Sequence, residues 1–291
     1  MSHDFKRIGI VGKYHGSSCS GAIRRLAEHL AARGHEVMLA AHTAEVCRIY
    51  ELPSATLHEL GRRVDLAVVI GGDGTLLNVA RNLVDHGVPL IGVNQGRLGF
   101  LADVPVDGML PILDRMLAGA YVAEERILLT ARVERGEAVH RSTHAFNDVV
   151  VSKSTLGRLI EFEVYVDDQF VYSQRADGMV VSTPTGSTAY ALSAGGPILH
   201  PTLEAFVLIP ICPHTLSARP IAVNSSSEIE INLIHAHDAR VHFDGQEHAD
   251  LELGDRVVIR RAVNTVRLLH PQGHNYYDTL RQKLHWGEKL S

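Results

Sequence analysis

The run Val64-Asp65-Leu66-Ala67-Val68-Val69-Ile70 passes directly into Gly71-Gly72-Asp73-Gly74-Thr75 and then into Leu76-Leu77-Asn78-Val79-Ala80-Arg81-Asn82-Leu83-Val84. A β-branched apolar run of this kind suits a strand buried in a parallel sheet. After the turn, Leu76, Ala80 and Leu83, with Leu77 and Val84 beside them, keep a helical period on one face. The stretch therefore reads as strand, tight turn and helix, with the turn at the carboxyl end of the strand. Its glycines allow close approach of a ligand and φ > 0, and the free N–H groups at a helix start attract phosphate. A carboxylate in such a loop repels phosphate unless it takes a proton or meets a metal. Asp73 is thus either a catalytic group or an N-cap aspartate on an ordinary turn.

Three more segments extend the same pattern. Arg7-Ile8-Gly9-Ile10-Val11-Gly12 is a short apolar strand that runs into the Gly/Ser-rich loop Lys13 to Gly21 and then the helical pattern Ala22-Ile23, Leu26-Ala27 and Leu30. The glycines at 9, 12 and 16 do not form GxGxxG, and Gly12-Lys13 lacks the rest of a P-loop. Glu36 to Ala41 reads as a second strand, Thr56 to Gly61 as a connection, and Val88 to Asn94 as a fourth strand ending in Gln95-Gly96-Arg97-Leu98-Gly99-Phe100-Leu101. Strands alternating with helices predict a Rossmann-like parallel α/β domain whose ligands lie at the strands' carboxyl ends. Phe100 at that edge either covers a planar base or plugs the core.

From Tyr121 the texture changes to period-two segments: Arg126 to Val133, His144 to Val151, Ile160 to Val166, Met179 to Ser182, Ile221 to Val223, Ile229 to Leu233, Arg240 to Phe243 and Arg256 to Arg260. These predict an all-β domain. The tail, His270 to Gly287, returns to a helical pattern through Tyr277, Leu280 and Leu284. The expected division is 1–124 for the α/β domain, 125–270 for a β-sandwich and 271–291 for a tail that packs back on the first domain.

Inside the β region, Arg175-Ala176-Asp177-Gly178 precedes Ser182-Thr183-Pro184-Thr185-Gly186-Ser187-Thr188-Ala189-Tyr190-Ala191-Leu192-Ser193-Ala194-Gly195-Gly196-Pro197. The Ser/Thr run is placed to cap a short helix over Ala189 to Ala194 and to present hydroxyls and amides to a hydroxyl-rich ligand; a long capped turn with no ligand is the alternative. Asn147-Asp148 interrupts the apolar residues Phe146 and Val149 to Val151, as an edge bulge or as a ribose-binding pair.

Composition removes several classes. The 291 residues carry 28 Lys plus Arg against 33 Asp plus Glu, a formal charge of -5, so no basic excess marks a nucleic-acid or anionic-membrane binder. Cys19, Cys47 and Cys212 are odd in number and widely spaced, which argues against a disulfide framework or zinc knuckle and fits a cytoplasmic protein. The first residues show no signal-peptide pattern, and no apolar run reaches membrane-spanning length. Among 18 histidines, His235-Ala236-His237 would place two imidazoles on one strand face, but without a third ligand at a persuasive spacing. No dedicated protein metal site is expected.

Taken together, GGDGT at 71–75, Asn147-Asp148, Asp177-Gly178, the block at 182–198 and Pro213-His214-Thr215-Leu216-Ser217-Ala218-Arg219-Pro220 resemble the bacterial NAD kinases in order and spacing, over nearly the whole chain. The resemblance implies an α/β domain followed by a β-sandwich. It also implies transfer of the γ-phosphoryl group of ATP to the 2′-hydroxyl of the adenosine ribose of NAD, giving NADP, with Mg²⁺ or another divalent cation accompanying ATP. Such a reaction is mostly positioning and electrostatics. Carried onto this chain, Asp73 is the base or acceptor-orienting residue, and Gly71, Gly72, Gly74 and Thr75 cradle the donor phosphates. Phe100 packs on the adenine, Asn147 and Asp148 bond the adenine and ribose region, and Thr188, Ala189, Tyr190 and Ser193 line the same pocket. Gln246 joins the NAD-binding set. Asp177, with Arg175, faces the nicotinamide end and reaches a neighbouring subunit's site in a homo-oligomer, a dimer or tetramer. Two positions depart from the family: Asp148 stands where Glu is usual, and Arg97 where Asn is frequent.

Other functions are weighed by their needs. A lipid kinase of the diacylglycerol kinase type shares a glycine–acid loop, but the block at 182–198 and the lack of a basic or amphipathic membrane-facing stretch oppose it. An NAD(H)-sensing regulator keeps the pocket without needing a base. NADP phosphatase activity is the reverse possibility.

Overall fold

The structure, a computed structural model, describes residues 5–13, 19–96, 99–154, 158–236 and 238–286. Arg97, His237 and the tail beyond Trp286 lie outside the described residues. The chain divides into two compact units, one of Met1–Glu125 with Val266–Ser291, the other of Arg126–Thr265.

The first unit begins β1 (Arg7–Gly12), α1 (Ser20–Ala32), β2 (Glu36–Ala40), α2 (Ala41–Cys47), β3 (Ser54–Ala55), α3 (Leu57–Gly61), β4 (Leu66–Gly71) and α4 (Asp73–Leu83). It continues with β5 (Leu90–Asn94), β6 (Val104–Pro105), α5 (Met109–Leu117) and β7 (Tyr121–Arg126). The second unit holds β8 (Leu129–Arg135), β9 (Ala138–Ala145), β10 (Asp148–Lys153), β11 (Ile160–Val166), β12 (Gln169–Ala176) and β13 (Gly178–Ser182). There follow α6 (Tyr190–Ser193), β14 (Ala205–Ile211), β15 (Ile221–Asn224), β16 (Ile229–His235), β17 (Ala239–Phe243), β18 (Glu247–Leu251) and β19 (Arg256–Arg261). The chain then returns to the first unit with β20 (Val266–Pro271) and α7 (Tyr276–Leu284).

The first unit is one sheet in the order β3-β2-β1-β4-β5-β20-β7, with β6 beside β5. Pairing is parallel from β3 through β5, and β20 lies parallel to β5 with Leu268 opposite Leu90. Every residue of β4 is buried, as a doubly covered strand requires. Ile23, Leu26, Ala27 and Leu30 of α1 are the face it buries, against a core that includes Ile8, Ile10, Val68 and Ile70. Each such Leu or Ile contributes about 1.5–3 kcal/mol by leaving water. The strand order reverses between β1 and β4, and the crevice outside the carboxyl ends of strands at such a reversal is where open α/β sheets take ligands.

The segment Thr56 to Gly61, expected as a connection, contains helix α3. Thr56 caps it: its hydroxyl accepts from Glu59 N–H at 3.3 Å, and the Glu59 carboxylate accepts from Thr56 N–H at 3.1 Å.

The second unit is a β-sandwich of two antiparallel six-stranded sheets, β15-β14-β13-β10-β17-β18 and β12-β11-β16-β19-β8-β9. Alternate residues of both sheets meet in one core: Val149, Val151, Met179, Val181, Phe206 and Phe243 from one, Leu129, Ala131, Phe162, Val164, Ile231 and Ile259 from the other. The opposite face of the first sheet carries Val150, Val180, Val207 and Ile209, packed with Ala191 of α6.

Candidate active site

In the first unit, the carboxyl ends of β1, β4 and β5 open onto a cleft of about 1000 Å³. Lys13, Gly72, Asn94, Gln95 and Gly96 come from the strand ends, Gly21, Ala22, Arg24, Arg25 and Glu28 from one side of α1, and Val106 and Asp107 from beyond β6. Three cations and the N-terminal end of α4 thus face one space, a combination that suits a polyphosphate. Arg24 also donates to the Arg48 carbonyl at 3.0 Å, whereas Lys13 and Arg25 are exposed.

The glycine turn differs in detail from expectation. Gly72 caps α4 in an extended conformation, φ -99° and ψ -178°, and Gly74 lies inside the helix, so the turn requires no left-handed residue. What Gly71 supplies is room: a Cβ there would sit 2.6 Å from Thr75 Oγ1. Thr75 is buried behind it, and Gly72 is the exposed member that lines the cleft.

Asp73 is not the N-cap but the first residue of α4. Its carboxylate accepts three backbone N–H bonds from the following loop, Phe100 at 2.8 Å, Leu101 at 3.1 Å and Ala102 at 3.3 Å. Gly99 makes this approach possible, since a Cβ on it would fall 2.0 Å from Asp73 Oδ1. The carboxylate is therefore fixed by the loop that carries Phe100. Phe100 is half-buried rather than enclosed, and Lys283 Nζ lies 5.8 Å from its ring centre.

In the second unit, Asn147 and Asp148 do not interrupt a strand. β10 begins at Asp148 in regular register, Asp148 opposite Ser182, and it is an interior strand between β13 and β17, so no edge bulge exists there. Asp244, in the turn after β17, holds the pair: its carboxylate accepts N–H bonds from Phe146 at 2.9 Å, Asn147 at 2.7 Å and Asp148 at 3.1 Å. Asp244 takes φ 53°, and the two backbones also meet through Asp244 N–H to Asp148 O at 3.0 Å. The Asp148 carboxyl is only 4% exposed; burial, and then the charge of Asp244, pushes it up to about 7. Gln246 is exposed in the same turn.

The hydroxyl-rich block proves mostly internal. No side chain caps α6, whose N-cap is Ala189, nor the short 3-10 turn Gly186–Thr188 before it, contrary to the capping expected from the Ser/Thr run. Ser182, Thr183 and Ser187 are fully buried. Thr183 Oγ1 donates to Phe146 O at 2.7 Å and accepts from Gly186 N–H at 3.1 Å, while Ser187 Oγ donates to Pro184 O at 2.6 Å and accepts from Leu199 N–H at 2.9 Å. A Cβ on Gly186 would come 2.1 Å from Asn147 O. These hydroxyls satisfy backbone groups of a compact turn pressed against Asn147. Thr188 and Ala189 remain half-buried, Tyr190 and Ser193 exposed, so this end of the block is the part open to a ligand.

Asp177 is half-buried and paired with Lys153 Nζ at 2.5 Å; Arg175 is exposed, 4.0 Å from Glu161. Lys153 and Asp244 escaped the sequence reading because their partners lie 24 and 96 or more residues away along the chain. His235 sits exposed on β16.

A parallel sheet whose strand ends open onto a cleft lined by Lys13, Arg24, Arg25 and a helix N-terminus, with a fixed carboxylate at the next residue of that helix, is the arrangement of a protein that handles a phosphorylated nucleotide. Comparison with known proteins narrows this. Residues 8–121 match the model of the ATP-NAD kinase N-terminal domain and residues 146–270 that of the C-terminal domain. An NAD kinase of Thiobacillus denitrificans is 60% identical over 291 residues, the whole of both chains. Yeast NADH kinase complexed with NADH superposes with a TM-score of 0.90 at 25% identity, covering 99% of this chain and 90% of that one. An NAD kinase from Archaeoglobus fulgidus in complex with ATP gives 0.74 at 26% identity, covering 97% and 100%. The chain belongs to the ATP-NAD kinase family and is a kinase.

Proposed function

We propose that this chain transfers the γ-phosphoryl group of ATP to the 2′-hydroxyl of the adenosine ribose of NAD, releasing NADP. The observation that carries the assignment to particular residues is Asp73: a carboxylate at the start of α4, held by three N–H bonds and next in the chain to Gly72, which lines the cleft. A carboxylate offers about four acceptor directions, so three fixed N–H bonds leave one for the ribose hydroxyl. Asp73 orients that hydroxyl and takes its proton as the oxygen attacks phosphorus. The amide of Gly72, the N-terminus of α4, Lys13 and Arg25 receive the triphosphate, with Gly71, Gly74 and Thr75 shaping the turn behind it.

Magnesium enters with the nucleotide, and Glu28 and Asp107 on the cleft wall are carboxylates suited to a phosphate-bound cation, which needs only one or two. When bound it neutralises phosphate charge. Phe100 stacks on the adenine. Asn147, Asp148, Thr188, Ala189, Tyr190, Ser193 and Gln246 bind NAD, and Arg175 and Asp177 serve its nicotinamide end, across to a neighbouring subunit of a dimer or tetramer. We place the protein in the cytoplasm; among the described residues no helix is long and apolar enough to cross a membrane.

The test is incubation with NAD, ATP and Mg²⁺, NADP being read with an NADP-specific dehydrogenase, for wild type and Asp73→Asn. NADP from wild type with a loss of about 10²–10⁴-fold in the variant supports both reaction and base. Equal rates would leave the reaction and remove Asp73 from it. NAD binding without NADP formation would favour a sensor.

A further inference from the structure

Asp73 is held only as firmly as the loop that supplies its three N–H groups, those of Phe100, Leu101 and Ala102. That loop is pressed onto β5: a Cβ on Gly92 would come 2.7 Å from Ala102 Cα, and Leu101 and Ala102 are buried. It also meets the segment that returns to the first unit as β20 and α7. His270, in β20, and His274, in the turn before α7, reach one oxygen of the residue that ends the loop, each Nδ1 lying 2.9 Å from Asp103 Oδ2. A bond from His274 N–H to Pro271 O at 3.0 Å closes that turn, and the two imidazoles stack with centres 4.0 Å apart. From α7, Lys283 Nζ approaches the Phe100 ring centre to 5.8 Å, within range of a cation–π contact.

An ionised carboxylate only accepts, so both Nδ1 atoms carry a proton and donate to Asp103. The side chains are secluded, His270 1% exposed, His274 8% and Asp103 11%. The other oxygen, Asp103 Oδ1, is buried without a hydrogen-bond partner, so among the described residues both bonds that the carboxylate accepts come from the returning segment. Burial pushes the Asp103 carboxyl up, and the bonds from His270 and His274 more than offset it, holding it below the usual carboxylate range. A charge this secluded is costly once a donor is lost, and it regains solvation only by turning toward water. Asp103 cannot turn alone. It directly follows the three residues whose N–H groups hold Asp73, so the loop moves with it.

We propose that the returning segment positions the catalytic carboxylate: His270 and His274, acting through Asp103, hold the loop in the place from which its N–H groups fix Asp73, and Lys283 steadies Phe100 on the same loop. The histidines are positioning residues, and the inference rests on the reading of Asp73 as the base. None of His270, His274 and Asp103 lines the cleft of the first unit. Their loss should therefore reach turnover through Asp73 and leave the binding of the donor nucleotide alone.

The test compares two amides at one position in the full-length protein. Asn places its amide nitrogen where imidazole Nδ1 stands, and Gln where Nε2 stands, on the side of Glu124, so only His274→Asn keeps a donor to Asp103. Amide hydrogen exchange is followed by mass spectrometry without nucleotides, and NADP formation is followed at saturating NAD and ATP. In His274→Gln the amides of residues 100–102 should exchange about 10-fold or more faster, while those of Val68 to Ile70 in β4 keep wild-type protection. Its kcat should fall about 10-fold or more, with KM for ATP within about twofold of wild type. His274→Asn should recover most of both. Unchanged exchange at 100–102 in His274→Gln overturns the proposal, and so does His274→Asn behaving no better than His274→Gln. A purely structural part for the histidines would lower the melting temperature and leave kcat, read well below it, at the wild-type value; that result also overturns the proposal. Should wild type form no NADP, the reading of function fails, and the exchange at 100–102 alone decides whether the histidines hold the loop. If His274→Gln does not fold, Asp103→Asn, which removes the charge that both imidazoles hold, takes its place.

Discussion

Raising the pH destabilises the second unit through Asp148. Its carboxyl is pushed up to about 7, from 3.8 in an unperturbed aspartate, so the folded state holds the proton more tightly than the unfolded state. For a carboxyl shifted upward, the associated stability is fully present below the unfolded pKa and is lost as pH rises through the folded one. Each unit corresponds to 1.36 kcal/mol, so the full span is about 4 kcal/mol, of which about 2–3 kcal/mol falls between pH 5 and pH 8. Asp148→Asn keeps the shape and cannot ionise. Urea unfolding of both ligand-free proteins is followed by circular dichroism at half-unit steps from pH 5 to 9. The difference between them cancels every titrating group that does not interact with Asp148. The variant should gain about 2–3 kcal/mol relative to wild type from pH 5 to pH 8. A flat difference would mean that Asp148 ionises freely in the fold, and the argument from its burial beside Asp244 would be wrong.

Two glycines should respond differently to alanine. At Gly99 the new Cβ meets the Asp73 carboxylate and drives it off the Phe100, Leu101 and Ala102 N–H groups, so Gly99→Ala should lose about 10²-fold or more in kcat along with about 1–3 kcal/mol of stability. At Gly186 it meets the Asn147 backbone, which cannot yield, so Gly186→Ala should unfold about 1–3 kcal/mol more easily in urea. Ser187→Ala removes the buried hydroxyl that donates to Pro184 O and accepts from Leu199 N–H, and should lower stability by about 1–3 kcal/mol in the same assay. Phe100→Ala should raise KM for NAD more than KM for ATP, measured by NADP formation.

The parts of the fold legible in the sequence were those whose residues face a core on a regular period. β4 and α4 were plain because Val68 to Ile70 and Leu76, Ala80 and Leu83 are all buried. The strands that the pattern missed are largely edges. β9 and β12 flank one sheet of the sandwich and β18 the other, and their exposed stretches, such as Ala138 to Ser142, carry little alternation to detect. β14 was hidden for the opposite reason, being an apolar run from Ala205 to Ile211 interrupted by Pro210. β20 went unread between the last expected strand, which ended at Arg260, and the tail from His270, and most of it fell within the 125–270 expected for the sandwich, although Leu268 pairs with Leu90 in the first unit. Asp73 stood out because a charge among glycines is conspicuous locally. Asp244 and the Asp103–His270–His274 cluster were not legible, since the cluster joins residues 167 positions apart and only folding makes them neighbours.

The returning strand has a consequence for the order in which the protein is made. The second unit is an uninterrupted stretch, Arg126–Thr265, and all its strand partners are present once that stretch has left the ribosome. The first unit, though begun earlier, lacks β20 until residues 266–271 emerge, and until then the β5 side of its sheet lacks that neighbour. An unpaired apolar strand edge is a template for pairing with another chain. The older half of the nascent polypeptide is thus the last to close, and a ribosome stalled between residues 126 and 265 would display an incomplete sheet throughout the pause.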